Sequence, residues 1–163
     1  MITDALSGLQ YAYEAEGKSK EALALIEKFI TTKPDGSGDE ELLLRKGDIL
    51  FGQGEFGNAA LEYQKIISLK PAPATKAKAL YQLGRCFEME NNYPRAISYY
   101  EQARTEFPND EIAPNVYLTL GYLFVKMKRN SDAIRIFKEF NYRLVKHFTV
   151  EDDRGVSRIG QYP

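Results

Sequence analysis

The sequence is poor in the residues that form metal and redox centres. It contains a single cysteine, Cys86, and a single histidine, His147. One cysteine excludes a disulfide within the chain. One histidine without a cluster of further cysteine or histidine residues does not form a metal-binding pattern. We therefore expect no metal and no cofactor, and we interpret Cys86 as a small buried apolar residue.

The sequence also lacks an excess of charge and any long apolar run. It has 22 Lys and Arg against 23 Asp and Glu, a formal net charge of −1, whereas general nucleic-acid-binding domains are usually clearly basic. No apolar run approaches the about 20 residues that span a bilayer. The N-terminus, MITDALSGLQ, has neither the basic start nor the apolar core of a signal peptide. We expect no nucleic-acid binding and no membrane insertion, with a cytoplasmic location as the default.

No group of residues has the arrangement of a catalytic centre. Paired carboxylates such as Glu40-Glu41 and Asp152-Asp153 are interpreted as solvated helix ends, because no oriented partner accompanies them. No glycine-rich loop follows a strand pattern, so no phosphate-binding loop is indicated. The sequence predicts a protein that is not an enzyme and has no catalytic residues.

What the sequence does contain is an internal repeat with a period of 37 residues. Repetition over tens of residues decides the architecture before any single motif does. The recurring positions are Ala22, Ala59, Ala96 and Ala133; Gly47, Gly84 and Gly121, with Gln10 in the first copy; Tyr13, Leu50, Phe87 and Phe124; Ile26, Tyr63, Tyr100 and Phe137; Gly17, Gly54, Asn91 and Lys128; and Pro34, Pro71 and Pro108, with Val145 in the fourth copy.

Within each copy, the spacing of apolar residues predicts two helices joined by a turn. Small residues such as Gly84 and Ala96 are expected where the two helices approach closely. Thr75, Asp39 and Asp110 can cap first helices and Ser131 can cap the last one, and Pro114 suits a first turn. The predicted helices cover about 3–16, 19–33, 40–53, 56–69, 76–90, 93–106, 111–128 and 131–147.

A single helix pair cannot bury its apolar face, so neighbouring pairs stack into a solenoid with a concave surface. The third copy, LYQLGRCFEMENNYPRAISYYEQARTEFP, resembles the tetratricopeptide repeat, with its Leu-Gly, aromatic, Ala, aromatic, Ala and Pro signature. The period is longer than the usual about 34 residues. The resemblance implies an all-α, right-handed superhelical solenoid of about four repeats in residues 1–148, at about 3–36, 40–73, 77–110 and 114–147, followed by an irregular C-terminal tail, 149–163.

The segments between copies carry a second resemblance. PNDEIAPNVYLTLG and PAPATKAKALYQLG are similar to the longer linkers of bacterial envelope repeat proteins, namely the Tol-Pal-associated periplasmic coordinator and the lipoprotein subunit of the outer-membrane β-barrel assembly machine. This resemblance implies a periplasmic location. It also implies an alternative function as a self-associating structural segment of a larger bacterial envelope complex.

The tetratricopeptide resemblance implies a non-enzymatic scaffold for protein–protein interaction, because the first helix of each pair lines the concave groove in that family. A peptide or protein partner would be held by apolar anchors and a few polar contacts. Two interpretations stay open: these side chains contact the partner, or Asp48 and Arg85 pair with each other and the tyrosines pack locally. The implied groove residues are Ser7, Tyr11 and Glu14; Leu44, Asp48 and Phe51; Tyr81, Arg85 and Glu88; and Leu118, Tyr122 and Val125.

The last predicted helix carries more apolar residues than one neighbouring helix is expected to cover. Such a patch marks an interaction surface. We predict a concentration-dependent homodimer through Phe137, Phe140, Leu144 and Phe148. The alternatives are that the chain is part of a longer repeat array, or that the tail from Thr149 to Pro163 covers the patch.

Overall fold

The computed structural model describes residue 13 and residues 16–32, 40–151 and 157–159. These residues form seven helices and two short strands. The predicted helix at 3–16 lies outside the described residues except for Tyr13 and Glu16. The helices are α1 Ser19–Thr32, α2 Glu40–Gly52, α3 Phe56–Ser68, α4 Pro73–Met89, α5 Tyr93–Glu106, α6 Ala113–Lys126 and α7 Asn130–Phe148, and the strands are β1 Thr149–Glu151 and β2 Ser157–Ile159.

The helices form consecutive hairpins, α2 with α3, α4 with α5, and α6 with α7, and α1 packs against α2. Each hairpin also packs against the next one in the chain. The described helix bounds lie within three residues of the predicted ones. The prediction of an all-α superhelical repeat solenoid is confirmed.

The same turn joins the two helices of each repeat. Each turn contains one residue in the left-handed backbone region, with φ between +59° and +80°. In successive repeats this residue is Gly17, Gly54, Asn91 and Lys128. The next residue donates its backbone N–H to a carbonyl five residues earlier, for example Asn92 to Phe87 at 2.8 Å. This 6→1 bond ends the first helix and reverses the chain. Glycine adopts the required conformation without steric cost, which explains its recurrence in two of the four turns.

Helix starts differ from the prediction at two places. Helix α4 begins at Pro73, so Thr75 is inside its first turn and is not the cap, because a proline needs no N–H partner there. Helix α7 begins at Asn130, so Ser131 is inside that helix as well. At the start of α6 the structure agrees with the predicted roles of Asp110 and Pro114. The Asp110 carboxylate accepts a hydrogen bond from the backbone N–H of Ile112 at 3.0 Å, and Pro114 lies in the first turn. Asp39 lies outside the described residues.

The tail after α7 is not irregular throughout, contrary to the prediction. Strands β1 and β2 pair antiparallel, with Thr149 opposite Ile159 and Glu151 opposite Ser157. Thr149, Val150 and Ile159 are β-branched, a side-chain type that favours strands. Segments of three residues are too short for a strand alternation to be visible in the sequence.

Close contact between a glycine and an aromatic ring holds the two helices of each hairpin together. A Cβ atom at Gly84 would lie 2.3 Å from Cε1 of Tyr100. A Cβ atom at Gly47 would lie 2.5 Å from the Tyr63 ring, and one at Gly121 would lie 2.5 Å from the Phe137 ring. Tyr63 and Tyr100 are fully buried. The first helix of each of these three hairpins must therefore carry a glycine where the ring of the second helix packs.

We expect Gly84→Ala to destabilise the protein by about 1–3 kcal/mol, because the added methyl group overpacks the contact with Tyr100. Gly52→Ala is the matched control, since a Cβ at Gly52 meets no atom within 4 Å. An alanine in a helix is favoured over glycine by roughly 0.5–1 kcal/mol, so the control should be neutral or stabilising. Urea denaturation measures both; equal stability of the two variants would contradict the contact.

Candidate functional site

The first helices of successive repeats lie side by side and present equivalent residues on one face. Side-chain hydrogen-bond contacts link them: Gln82 of α4 donates to Asp48 of α2 at 2.6 Å, and the hydroxyls of Tyr81 and Thr119, on α4 and α6, are 3.4 Å apart. The groove residues predicted from the sequence are therefore on adjacent helices, and those described follow the 37-residue period.

Two adjoining cavities open on this face. One has a volume of about 530 Å³, with Glu41, Leu44, Asp48 and Lys78 in its lining. The other has about 500 Å³ and extends past the N-terminal ends of α4 and α6 to Glu111. Leu44 and Lys78 line both cavities. A continuous depression therefore crosses α2, α4 and α6.

The two opposite charges predicted in the groove do not form a direct ion pair among the contacts of the described residues; Gln82 stands between them. The Gln82 amide donates to Asp48, and its carbonyl accepts a hydrogen bond from Arg85 at 3.1 Å. The Arg85 guanidinium also lies 4.4 Å from the centre of the Phe51 ring, a cation–π geometry. Neither of the two interpretations of the groove involves Gln82. This residue is 8% exposed, and as a polar, uncharged residue it does not stand out in the sequence pattern.

Hydrogen bonds connect the groove to the core aromatics. The Tyr63 hydroxyl donates to Asp48 at 2.7 Å, and the Tyr100 hydroxyl donates to Glu88 at 2.9 Å. Burial, reinforced by the neighbouring carboxylate, raises the pKa of both tyrosines. Both hydroxyls therefore stay protonated and act as donors at neutral pH.

The predicted groove residues differ in how accessible they are. Leu44 is buried, and Tyr81 is half-buried with its ring 5.8 Å from that of Tyr100. Leu118, Tyr122 and Val125 are exposed, Tyr122 at 64%. Tyr11 lies outside the described residues, as do Ser7 and Glu14. The accessible apolar surface is therefore at the C-terminal end of the groove.

The residues predicted for self-association are not all on one free surface. Phe137 packs against Gly121 and edge-on against Tyr122, with ring centres 5.5 Å apart. Phe140 stacks on Tyr117 at 5.4 Å. Helix α6 therefore covers part of the predicted self-association surface, because its Tyr117 and Tyr122 rings pack on Phe140 and Phe137. Leu144 is exposed; Phe148 ends α7, and its side chain lies outside the described residues.

A polar cluster joins the last three helices. Arg104 of α5 contacts both carboxylate oxygens of Glu139 of α7 at 2.7 Å. Tyr117 of α6 donates to the same carboxylate at 2.7 Å. Burial acts to raise the pKa of Glu139, but the Tyr117 hydrogen bond and the Arg104 charge outweigh it, so the pKa of this carboxyl is lowered. The cluster fixes α7 on the preceding repeat.

The described residues contain no site with obvious chemical reactivity. Cys86 is buried, and burial raises the pKa of its thiol to about 12, with a further contribution from Glu90. A thiol with this pKa is protonated at neutral pH and is a poor nucleophile. No group of three or more His, Cys, Asp or Glu among the described residues is placed to hold a metal ion. In the same part of the chain, no helix combines the length and the apolar character needed to cross a bilayer.

Comparison with known proteins identifies the repeat. Residues 44–111 match the family model of the tetratricopeptide repeat. DnaJ homolog subfamily C member 3 of Gallus gallus is 30% identical over 90 residues, which are 55% of this chain and 17% of that protein. The chain therefore spans only a small part of this relative.

Solved structures with the same fold cover most of the chain. A crystal structure of MamA aligns with a TM-score of 0.70 at 22% identity, covering 88% of this chain and 79% of MamA. A tetratricopeptide repeat protein from Parabacteroides merdae ATCC 43184 also aligns at 0.70, with 17% identity and coverage of 83% and 50%. The N-terminal domain of stress-induced protein-1 from C. elegans aligns at 0.58, with 20% identity and coverage of 71% and 94%.

Residues 44–111 therefore form tetratricopeptide repeats, as the sequence predicts. The family match covers residues 44–111, and the same helical hairpin continues in α6 and α7. This family generally mediates protein–protein interaction.

We expect Asp48→Ala to cost about 1–3 kcal/mol, because the buried Tyr63 hydroxyl loses its acceptor. In a Tyr63→Phe background the same substitution should cost less, since no hydroxyl is left unpaired. Chemical denaturation of wild type, the two single variants and the double variant gives the coupling energy between Asp48 and Tyr63. An equal cost in both backgrounds would show that the hydrogen bond contributes nothing.

We expect the stabilising effect of Glu139 to depend on pH. Its pKa in the folded state is below the ordinary value of 4.5, so its contribution is complete above about pH 4.5 and is lost as the pH falls through the folded-state pKa. Glu139→Gln should therefore lower the free energy of unfolding by on the order of 1 kcal/mol at pH 7, and by less at pH 3.

Glu111→Gln is the control for this experiment, because Glu111 is exposed and forms no ion pair in the described structure. Because this substitution removes no ion pair, the variant should differ little from wild type in its free energy of unfolding at pH 7. Denaturation curves at both pH values measure the two variants. A pH-independent loss in Glu139→Gln would contradict the ionic role.

Proposed function

We propose that the protein is a non-enzymatic scaffold that binds a partner protein along the concave face of α2, α4 and α6. The pair of adjoining cavities that share Leu44 and Lys78 carries this proposal. A preformed depression across rigid helices reduces the conformational cost of binding. The helices are held rigid by the glycine–aromatic contacts and by the Asp48–Gln82–Arg85 chain of hydrogen bonds.

The two ends of this face favour different chemistry. Towards the N-terminal repeats the lining is polar and charged, with Glu41, Asp48 and Lys78. Lys78 is exposed and has no ion-pair partner among the described residues. Towards the last repeat the exposed residues are apolar: Leu118 and Tyr122. We infer an extended or helical segment of the partner, with apolar anchors at one end and an acidic side chain placed near Lys78.

Self-association is a second candidate function. Ile134, Tyr142 and Leu144 are apolar and exposed on the last helix, and an exposed apolar patch marks an interaction surface. Together with the resemblance of the linkers, this supports a role as a structural segment of a bacterial envelope complex.

Site-specific photo-crosslinking in cells tests the concave face. A benzophenone amino acid at Lys78 or Leu118 should crosslink a partner protein. The same amino acid at Lys28 or Leu61 should not, because both are exposed on second helices, α1 and α3, rather than on the first helices that line the groove. Leu61, 56% exposed, is the apolar match for Leu118.

Mass spectrometry identifies the crosslinked protein, and purified partner then gives a dissociation constant. Lys78→Glu should weaken binding at least about tenfold by replacing attraction with repulsion, and Lys28→Glu should leave it unchanged. Crosslinks only from the control positions, or equal binding by both variants, would contradict the proposal.

A further inference from the structure

A further cavity lies at the edge of the last repeat. It has a volume of about 540 Å³ and is bounded by the segment before α6, the first turn of α6 and the C-terminal half of α7. Tyr117, Phe140 and Leu144 form its apolar wall. Tyr117 is 1% exposed and Leu144 is 39% exposed, so the wall runs from the core to the surface. This space is called the edge cavity.

The equivalent place in the preceding repeat is filled by that repeat's own side chains. One period before Leu144 and Ala113 are Phe107 and Lys76. Phe107 is half-buried and packs against the core. The Lys76 ammonium lies 2.6 Å from a carboxylate oxygen of Glu106 and 5.7 Å from the centre of the Phe107 ring. An aromatic ring and a cation therefore cover this place in the third repeat.

The last repeat lacks both groups. Leu144 carries no ring and Ala113 carries no charge. Arg143, which takes the place of Glu106, is engaged elsewhere: it lies 3.5 Å from Glu139 and 5.8 Å from the centre of the Tyr117 ring. The chain thus leaves open in its last repeat a space that it covers in the repeat before.

The wall of the edge cavity favours an aromatic guest. The rings of Tyr117 and Phe140 stack with their centres 5.4 Å apart, whereas the residues one period earlier are Leu80 and Ala103. Aromatic pairs attract each other beyond the effect of the area that they bury. A Phe or Tyr side chain of a partner can therefore extend this stack, with Leu144 beside it at the rim.

The rim of the edge cavity is acidic. Asp110 and Glu111 line it, and neither forms an ion pair among the described residues. The same two residues line the cavity of about 500 Å³ that Lys78 shares on the concave face. The rim therefore joins the edge cavity to the concave face and offers two carboxylates to a cation.

We propose that the edge cavity binds an aromatic side chain of the partner protein, and that a Lys or Arg next to it pairs with Asp110 and Glu111. The guest then supplies the ring and the cation that Phe107 and Lys76 supply in the third repeat. The proposal rests on the proposed function, because the partner is the protein bound at the concave face. It assigns Leu144 to that partner rather than to a second copy of the chain.

Methyl NMR titration with acetyl-Phe-Lys-amide tests the edge cavity. The signals of Leu144 and Ala113 should shift, whereas those of Leu61, 56% exposed on α3, should not. Acetyl-Phe-Glu-amide should bind at least about fivefold more weakly, because the rim repels its carboxylate, and acetyl-Ala-Lys-amide should cause no shift. No shift at Leu144 and Ala113 would overturn the proposal, and shifts at Leu118 instead would still support the concave face.

Two variants separate the apolar and the ionic contributions. Leu144→Phe introduces the residue of the third repeat and should weaken the binding of acetyl-Phe-Lys-amide at least about tenfold by filling the cavity. Glu111→Lys should remove the preference for Lys over Glu in the peptide. Glu90→Lys makes the same change of charge at an exposed residue outside the cavity and should keep the preference. Unchanged binding by Leu144→Phe and an unchanged preference in Glu111→Lys would overturn the proposal.

Photo-crosslinking in cells connects the edge cavity to the partner. A benzophenone amino acid at Leu144 should crosslink the same protein as one at Lys78, through a peptide with an aromatic residue next to a Lys or Arg. A crosslinked peptide without this pair, or a crosslink to a second copy of the chain, would overturn the proposal. A crosslink of such a peptide at Leu144 with none at Lys78 would support the edge cavity and contradict the concave face.

Discussion

The contact between a glycine of the first helix and an aromatic ring of the second sets the geometry of the last three repeats. At Gly47, Gly84 and Gly121 the ring lies where a Cβ atom would otherwise be. Each hairpin therefore has the same close spacing. Because hairpins of the same geometry stack with the same relation to one another, their first helices form one surface.

The same contact connects the core to the chemistry of the groove. Tyr63 and Tyr100 have hydroxyls, which donate to the carboxylates of Asp48 and Glu88 on the groove side. The third ring of the series is Phe137, which has no hydroxyl. The residues equivalent to Asp48 and Glu88 in that repeat are Tyr122 and Val125, which carry no carboxylate and are exposed. The change from a polar to an apolar groove follows this change of the core aromatic.

The sequence predicts the repeat and its helices because glycine, alanine and proline recur at fixed intervals. It fails where a side chain reaches across repeats. Gln82 joins Asp48 to Arg85 from the neighbouring helix, and a periodic pattern does not record such a contact. The pattern also does not show how far Phe137 and Phe140 are covered, because their coverage depends on aromatic rings of α6. The strands after α7 are too short to leave a pattern.

A double-mutant cycle at Gly121 and Phe137 tests the glycine–aromatic contact most directly. Phe137 is suited to it because, unlike Tyr63 and Tyr100, its ring carries no hydroxyl bonded to the groove. A Cβ at Gly121 would lie 2.5 Å from the Phe137 ring, so Gly121→Ala should cost at least about 1 kcal/mol more in wild type than in a Phe137→Leu background. An equal cost in both backgrounds would show that the ring does not require the glycine, and would contradict the account.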